Sequence, residues 1–255
     1  MVVGSDGVIA ERGQIDVALP VASVTKMLSA LATLVALEEG IVSLDDAAGP
    51  PGATLRHLLA HASGLGPEKK DGPVARPGSR RIYSNAGFEV LAEHVGTAAA
   101  MDFGVYLAQA VLMPLGMERS SVRGSPAHGG YASAADLGRL ASELLSPKLI
   151  DPATLSLASA VAFPGLAGIL PGFGRMDPCD WGLGFELRDD KSPHWTGLLC
   201  SSSTFGHFGQ SGCFVWVDPL ASLGLAVVTD RPFGSWAKTA WPELADAVLS
   251  ARPVP

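Results

Sequence analysis

Ser23-Val-Thr-Lys-Met-Leu-Ser-Ala-Leu-Ala-Thr-Leu-Val-Ala-Leu37 reads as one helix that opens on a chemically loaded tetrad. Met27, Leu28, Leu31, Leu34, Val35 and Leu37 recur at helical spacing, Pro20 stands just upstream and Gly40 ends the run. Working toward the N-terminus, Val2-Val3 and Val8-Ile9-Ala10 are β-prone and flank a Ser5-Asp6-Gly7 turn, which predicts a hairpin. Working the other way, residues 45 to 160 read as helices joined by Gly/Pro loops. They are expected over 54–61, 85–95, 103–112 and 134–145, with Thr54 and Ser133 at N-cap positions. Residues 165–204 are rich in Gly, Pro and polar side chains and predict loops. Cys213-Phe-Val-Trp-Val217 and Leu223-Gly-Leu-Ala-Val-Val-Thr229 predict two strands with a turn begun by Asp218-Pro219, and a last helix is expected over 235–249.

Strands at both ends with helices between them predict one α/β (α+β) architecture: an antiparallel sheet built from both termini, flanked by helices. The expected division is a sheet domain from 1–44 plus 165–255 and an inserted all-helical subdomain at 45–164. There is no internal repeat and no low-complexity tract.

Composition narrows the function. At 255 residues the chain can bury about 70% of its unfolded surface without a disulfide or metal staple. Hydrophobic residues make up 47% and charged residues 17%, against a usual charged share of about 25%, so disorder is excluded. The net charge of -7 argues against nucleic acid, whose phosphates need a basic face. Mean hydropathy is high at +0.28, yet the longest nearly apolar stretch, 27–37, falls short of the ~20 residues a spanning helix needs. The first residues, Met-Val-Val-Gly-Ser-Asp-Gly, lack a basic and an apolar signal region, and Cys179, Cys200 and Cys213 are odd in number and unpatterned. A cytoplasmic protein with reduced thiols is expected, with no membrane partner.

Ser23-Val-Thr-Lys26 places a hydroxyl and an amine one helical turn apart, about 5–6 Å between Cβ atoms. The helix N-terminus favours a developing alkoxide, disfavours an ammonium, and together with burial would lower the lysine toward use as a base. The Ser23 N–H could serve as an oxyanion donor. The tetrad alone is weak. Ser235-Trp-Ala-Lys238 fits it too, and Ser23 and Lys26 could equally be an N-cap and a solvated first-turn residue, the reading adopted for Ser235.

Two further segments strengthen it. Tyr83-Ser-Asn85 opens a helix after Arg80-Arg81. The phenol can relay protons, and the amide can hold both the lysine and a substrate carbonyl. The structural alternative is an Asn N-cap and a core Tyr. His207-Phe-Gly-Gln210 is expected at the start of a strand, where Gly209 would let a substrate lie against the strand edge. Gln210 N–H would be the second oxyanion donor, and His207 would polarise the site or contact a substrate carboxylate.

In this order the three segments resemble the Ser-x-x-Lys, Tyr-x-Asn and His/Lys-x-Gly motifs of the serine β-lactamase and penicillin-binding-protein superfamily. The nearest branch comprises class C β-lactamases, D-Ala-D-Ala carboxypeptidases and family VIII esterases. Leu55-Arg-His-Leu-Leu-Ala-His-Ala-Ser-Gly-Leu65, Pro114-Leu-Gly-Met117, Ala132-Ser-Ala-Ala-Asp-Leu137, Trp181-Gly-Leu-Gly-Phe185 and Val217-Asp-Pro219 also resemble landmarks of that group, so the likeness runs nearly end to end. It implies that Ser23 attacks a carbonyl while Lys26 and Tyr83 share the proton, with Tyr83 the deacylation base. The N–H groups of Ser23 and Gln210 would bind the oxyanion, and water would resolve an acyl-enzyme without a cofactor. Which of Lys26 and Tyr83 is the primary base stays open.

The sequence departs from that pattern at His207, where β-lactamases of the branch carry Lys. A neutral imidazole grips a β-lactam carboxylate less firmly than an ammonium. That difference, the short chain, a compressed segment between Met117 and Ala132 and the missing export signal favour a small ester or amide substrate in an open site. The alternatives are a D-Ala-D-Ala carboxypeptidase, a weak β-lactamase, and a catalytically silent binding protein. No Gly-x-Ser-x-Gly elbow and no Gly-x-x-x-x-Gly-Lys loop occurs. His57 and His61 lack the Glu of a zinc helix, so no metal is expected, and His61 is read as packing under Ser63-Gly64. Trp181 and Trp195 could line an acyl pocket or fill the core, and Cys213 is read as a small buried hydrophobe.

Overall fold

The structure, a computed structural model, describes residues 1–251. The N-terminal hairpin forms as expected, with β1 (Val2–Gly4) and β2 (Gly7–Ala10) antiparallel. A strand the sequence did not suggest follows: β3 (Leu19–Ala22). Pro20 hides it, because proline cannot donate to a ladder and argues against a central strand. Here it sits beside an irregular register, where β3 pairs with a later strand.

Helix α1 (Thr25–Glu38) is buried from Thr25 to Ala36 on every side. A helix enclosed all round must satisfy its polar side chains internally. Thr25 Oγ1 donates to the Ala22 carbonyl (2.5 Å), Ser29 Oγ to that of Pro126 (2.7 Å) and Thr33 Oγ1 to that of Ser29 (2.9 Å). Each enclosed Leu adds about 1.5–3 kcal/mol, and Leu28, Leu31 and Leu34 are fully buried.

Helices α2 (Leu55–Leu59) and α3 (Asn85–Ala98) follow, then α4 (Phe103–Leu107), which widens into a π-turn over Ala108–Leu112 instead of continuing as one helix. Strands β4 (Ser121–Val122) and β5 (Gly130–Ala132) complete a three-stranded sheet with β3, in the order β3-β5-β4. Helix α5 (Ala134–Leu145) has the expected Ser133 cap, whose hydroxyl accepts from Asp136 N, and it packs across the inner face of the main sheet. Helix α6 (Pro152–Ala158) starts on a proline, which a first helical turn tolerates.

The stretch 165–204 is less featureless than expected. It holds a small hairpin, β6 (Gly168–Leu170) and β7 (Gly174–Met176), turning at Pro171-Gly172, and the short strand β8 (Glu186–Leu187). Strands β9 (Phe205–Phe208), β10 (Phe214–Asp218) and β11 (Leu223–Val227) then build the centre of the sheet, and α7 (Ser235–Ser250) covers it. The order β2-β1-β11-β10-β9-β8, antiparallel throughout, is a sheet assembled from both termini.

Two local expectations are corrected. His207 lies inside β9, and Gly209-Gln210 follow its end rather than its start. Ser235 is not a cap, since Gly234 holds that position and Ser235 begins α7. The three cysteines are buried and unpaired, and among the described residues no single helix is long and apolar enough to cross a membrane.

Candidate active site

Ser23 stands on the turn between β3 and α1. The residue before it, Ala22, has φ of 44°, a left-handed value that costs a non-glycine residue energy and persists only when its surroundings impose it. Thr25 supplies part of that imposition: its hydroxyl donates to Ala22 O and accepts from Gly130 N (2.8 Å). Ser23 is not an N-cap, because Val24 holds that position, but its carbonyl accepts from Lys26 N (3.0 Å) and so begins the helical turn. The hydroxyl is left half-buried at the mouth of a cleft.

Lys26 is fully enclosed. Its Nζ donates to Asn85 Oδ1 (2.7 Å) and to the Ala127 carbonyl (2.9 Å), and lies 4.6 Å from the centre of the Tyr83 ring. Burial disfavours the ammonium and Glu68 and Glu89 favour it, and the balance brings the amine down to about 7. A neutral amine has two N–H bonds, and these two acceptors take both, leaving its lone pair free.

The Tyr83 hydroxyl faces Ser23 and reaches His207 Nε2 at 3.4 Å. Burial pushes the phenol up, and the Ser23 contact offsets this only in part. The side chain rests on His61, ring centres 4.6 Å apart. His61 Nδ1 accepts from Ser84 N (3.1 Å). That histidine therefore supports the Tyr83-Ser84 turn, a role beyond the expected packing under Ser63-Gly64. Ser84, rather than Asn85, caps α3 by accepting from Gly87 N (2.9 Å). Asn85 is thereby freed to use both ends of its amide: Oδ1 on Lys26 and Nδ2 on Glu68 Oε1 (2.8 Å).

His207 donates from Nδ1 to the Phe208 carbonyl (2.7 Å), because a carbonyl only accepts. Nε2 is then the acceptor for Tyr83. Burial first, and the nearby Lys26 second, lower the imidazole to about 3, so it is neutral. Gly209 has a packing role that was not expected. A Cβ there would sit 2.3 Å from the Val21 carbonyl and 3.1 Å from Ala22 Cβ. The missing side chain serves the contact between the end of β9 and the end of β3. That contact brings Gln210 to the Ser23 turn. Among the described residues the N–H groups of Ser23 and Gln210 have no intrachain acceptor, while Gly209 N is taken by the Cys213 carbonyl.

Ser23, Tyr83, Asn85, His207 and Gln210 share one cleft of about 120 Å³, with Leu170, Pro171, Trp181, Glu186 and Phe208 as its other walls. Lys26 and Gly209 are not among its walls. Sequence reasoning missed Glu68, Glu186 and the β6–β7 hairpin. Pro171-Gly172 between two β-prone pairs was the turn signal for the hairpin. No local signal marks either glutamate. Trp181 lines the cleft, whereas Trp195 belongs to the core, stacked near Phe208 and Phe214 with its N–H on Glu186 Oε2 (2.8 Å). His57 and His61 share no ligand geometry: His57 Nδ1 is held by Thr54, and among the described residues no side-chain group suits a metal ion.

A family model described as Beta-lactamase matches residues 16–249. A solved structure named a beta-lactamase, from Mycobacterium bovis, superposes with a TM-score of 0.96 at 52% identity, covering 98% of this chain and 92% of that one. Simvastatin synthase (LovD) from Aspergillus terreus shares the fold at a TM-score of 0.81 and 17% identity, covering 100% and 94%. In sequence, the D-alanyl-D-alanine-carboxypeptidase/endopeptidase AmpH of Escherichia coli K12 is 28% identical over 151 residues. That match takes in 45% of this chain and 39% of the relative, well under half of its length.

Proposed function

This chain belongs to the Beta-lactamase family, and from that premise we propose that it is a serine hydrolase working through an acyl-enzyme on Ser23, with short uncharged esters and amides as substrates. The observation that carries this reading is the neutral His207. Burial beside Lys26 keeps His207 neutral, so among the described residues no cation lines the cleft to hold a carboxylate, and Glu186 lies in the same wall. At about 120 Å³ the cleft is also far below the ~300–1,000 Å³ of sites for drug-sized ligands, which suits a short acyl group.

The chemistry follows from the proton inventory. Lys26, with both N–H bonds engaged and a lone pair available, accepts the Ser23 proton as Oγ attacks the carbonyl carbon. The oxygen of that carbonyl gains the negative charge, and the free N–H groups of Ser23 and Gln210 receive it. Collapse expels the alcohol or amine, which takes the proton back through Lys26 or the Tyr83 hydroxyl. Water then attacks the acyl-enzyme by the same route. Tyr83, held high by burial, serves as a relay in its neutral form and not as a standing phenolate.

A second reading, turnover of β-lactams or D-Ala-D-Ala peptides, is favoured by the names borne by the M. bovis and AmpH relatives. The two are separated by p-nitrophenyl butyrate against nitrocefin, each run with Ser23→Ala. The ester should be cleaved faster, and the variant should lose about 10³-fold or more. Equal rates in both proteins would defeat the serine assignment. Nitrocefin cleaved as fast as the ester would defeat the substrate preference, and His207→Lys should move the ratio toward nitrocefin.

A further inference from the structure

We propose that Glu68 is a positioning residue, whose carboxylate orients the Asn85 amide so that Asn85 turns its oxygen, and not its nitrogen, toward Lys26. The inference rests on the hydrolase reading above and names a residue that acts through Asn85 without touching substrate.

The two ends of an Asn side chain have nearly the same shape, so only the chemistry of the neighbours decides which way it points. Asn85 lies between Lys26 Nζ at 2.7 Å and Glu68 Oε1 at 2.8 Å. A lysine amine bonded to the Ala127 carbonyl needs a second acceptor. The carboxylate is an acceptor only, so it admits just the amide NH₂ and leaves Oδ1 for Lys26. The loop bearing Glu68 is itself fixed to the start of α3. Asn85 N and Ala86 N donate to the Pro67 carbonyl (2.8 and 3.2 Å), Ser84 Oγ donates to the Gly66 carbonyl (2.6 Å), and Glu68 N donates to Asp71 Oδ2 (2.8 Å). The carboxylate thus reaches the amide on a short, anchored path.

The charged and titratable groups facing Lys26 are Glu68 from this loop, Glu89 from α3, Tyr83 before α3, His61 after α2 and His207 from β9. Of these, Glu68 and Glu89 favour the ammonium. Removing the Glu68 charge should therefore lower the amine further, an effect that a purely structural role would not produce.

The test is Glu68→Gln, whose amide can donate as well as accept and so allows both orientations of Asn85. On p-nitrophenyl butyrate, kcat/KM should fall roughly tenfold, the scale of one charge-assisted hydrogen bond. The acid limb of the pH profile should move to lower pH. In an Asn85→Ala background the same substitution should cost little further rate. An unchanged kcat/KM, or an equal loss in both backgrounds, overturns the proposal. If the wild-type protein hydrolysed no ester at all, the hydrolase reading would fail separately. The Lys26 titration, followed by NMR on ¹³C-labelled lysine, would still decide the role of Glu68: a midpoint lowered by Glu68→Gln more in the wild-type background than in Asn85→Ala supports it, and an equal shift in both, or none, overturns it.

Discussion

Lys26 Nζ donates to Asn85 Oδ1 across 2.7 Å, joining the first turn of α1 to the first residue of a helix 59 positions further along. The bond distinguishes this tetrad from the matching one that opens α7. Lys26 is fully buried among acceptors, while Lys238 is exposed with its amine over the Phe173 ring. Two copies of one sequence pattern differ because only one is enclosed by a second segment.

The first prediction concerns pH. With Lys26 at about 7, the fraction of neutral amine rises as pH passes through that value. On the proposal that the neutral amine is the base, kcat/KM for an ester should climb through about pH 7 and then level. A lysine at its ordinary value would keep the rate climbing some three pH units further. A pH–rate profile from about pH 5 to 9 decides it, and a flat line through neutrality would exclude Lys26 as the base.

The second concerns Gly209. Alanine there would drive its Cβ to within 2.3 Å of the Val21 carbonyl, and a main-chain oxygen at the end of β3 has little room to yield. The strand ends must part, at a cost of about 1–3 kcal/mol. The part that moves carries Gln210, so Gly209→Ala should lose turnover beyond what its lower melting temperature explains. Wild-type activity at a temperature where the variant is fully folded would refute the positional role.

Much of this was legible in the sequence, and the rest was hidden for identifiable reasons. Strands β1, β10 and β11 and helices α1 and α5 carry their own periodicity, so the sheet from two termini could be read directly. The Ser23–Lys26 tetrad, Tyr83 and Asn85 were readable as a set because three segments agree. Strand β3 was not, because Pro20 disguises it and its partner β5 lies more than a hundred residues away. The packing role of Gly209 was hidden for the same kind of reason: the group it makes room for, the Val21 carbonyl, belongs to a strand distant in sequence. Glu68 and Glu186 are ordinary letters in the chain. Their importance comes from what the fold places opposite them.

The third prediction follows from Glu186, which is buried on β8 where one edge of its side chain lines the cleft. Oε1 meets Lys191 Nζ at 2.7 Å, and Oε2 takes His194 Nε2 and Trp195 Nε1, each at 2.8 Å. Burial pushes this carboxyl up, but His194 and Lys191 beside it pull it down further, to about 2. The unfolded chain would protonate it near 4.5, so between those values the unfolded state binds more protons. The stability it contributes is therefore present above about pH 4.5 and is lost as pH falls through about 2. Glu186→Gln removes the anion and leaves the Lys191 ammonium enclosed with neutral acceptors alone: the new amide oxygen and the Asp180 and Leu187 carbonyls. Breaking a buried pair from one side costs about 3–5 kcal/mol. Urea unfolding at neutral pH should register that loss, and its acid dependence should flatten. Adding Lys191→Met should recover much of the loss, since no buried charge is then left alone. If Glu186→Gln unfolds at the wild-type urea concentration, the pair contributes nothing to holding β8 and the wall of the cleft in place.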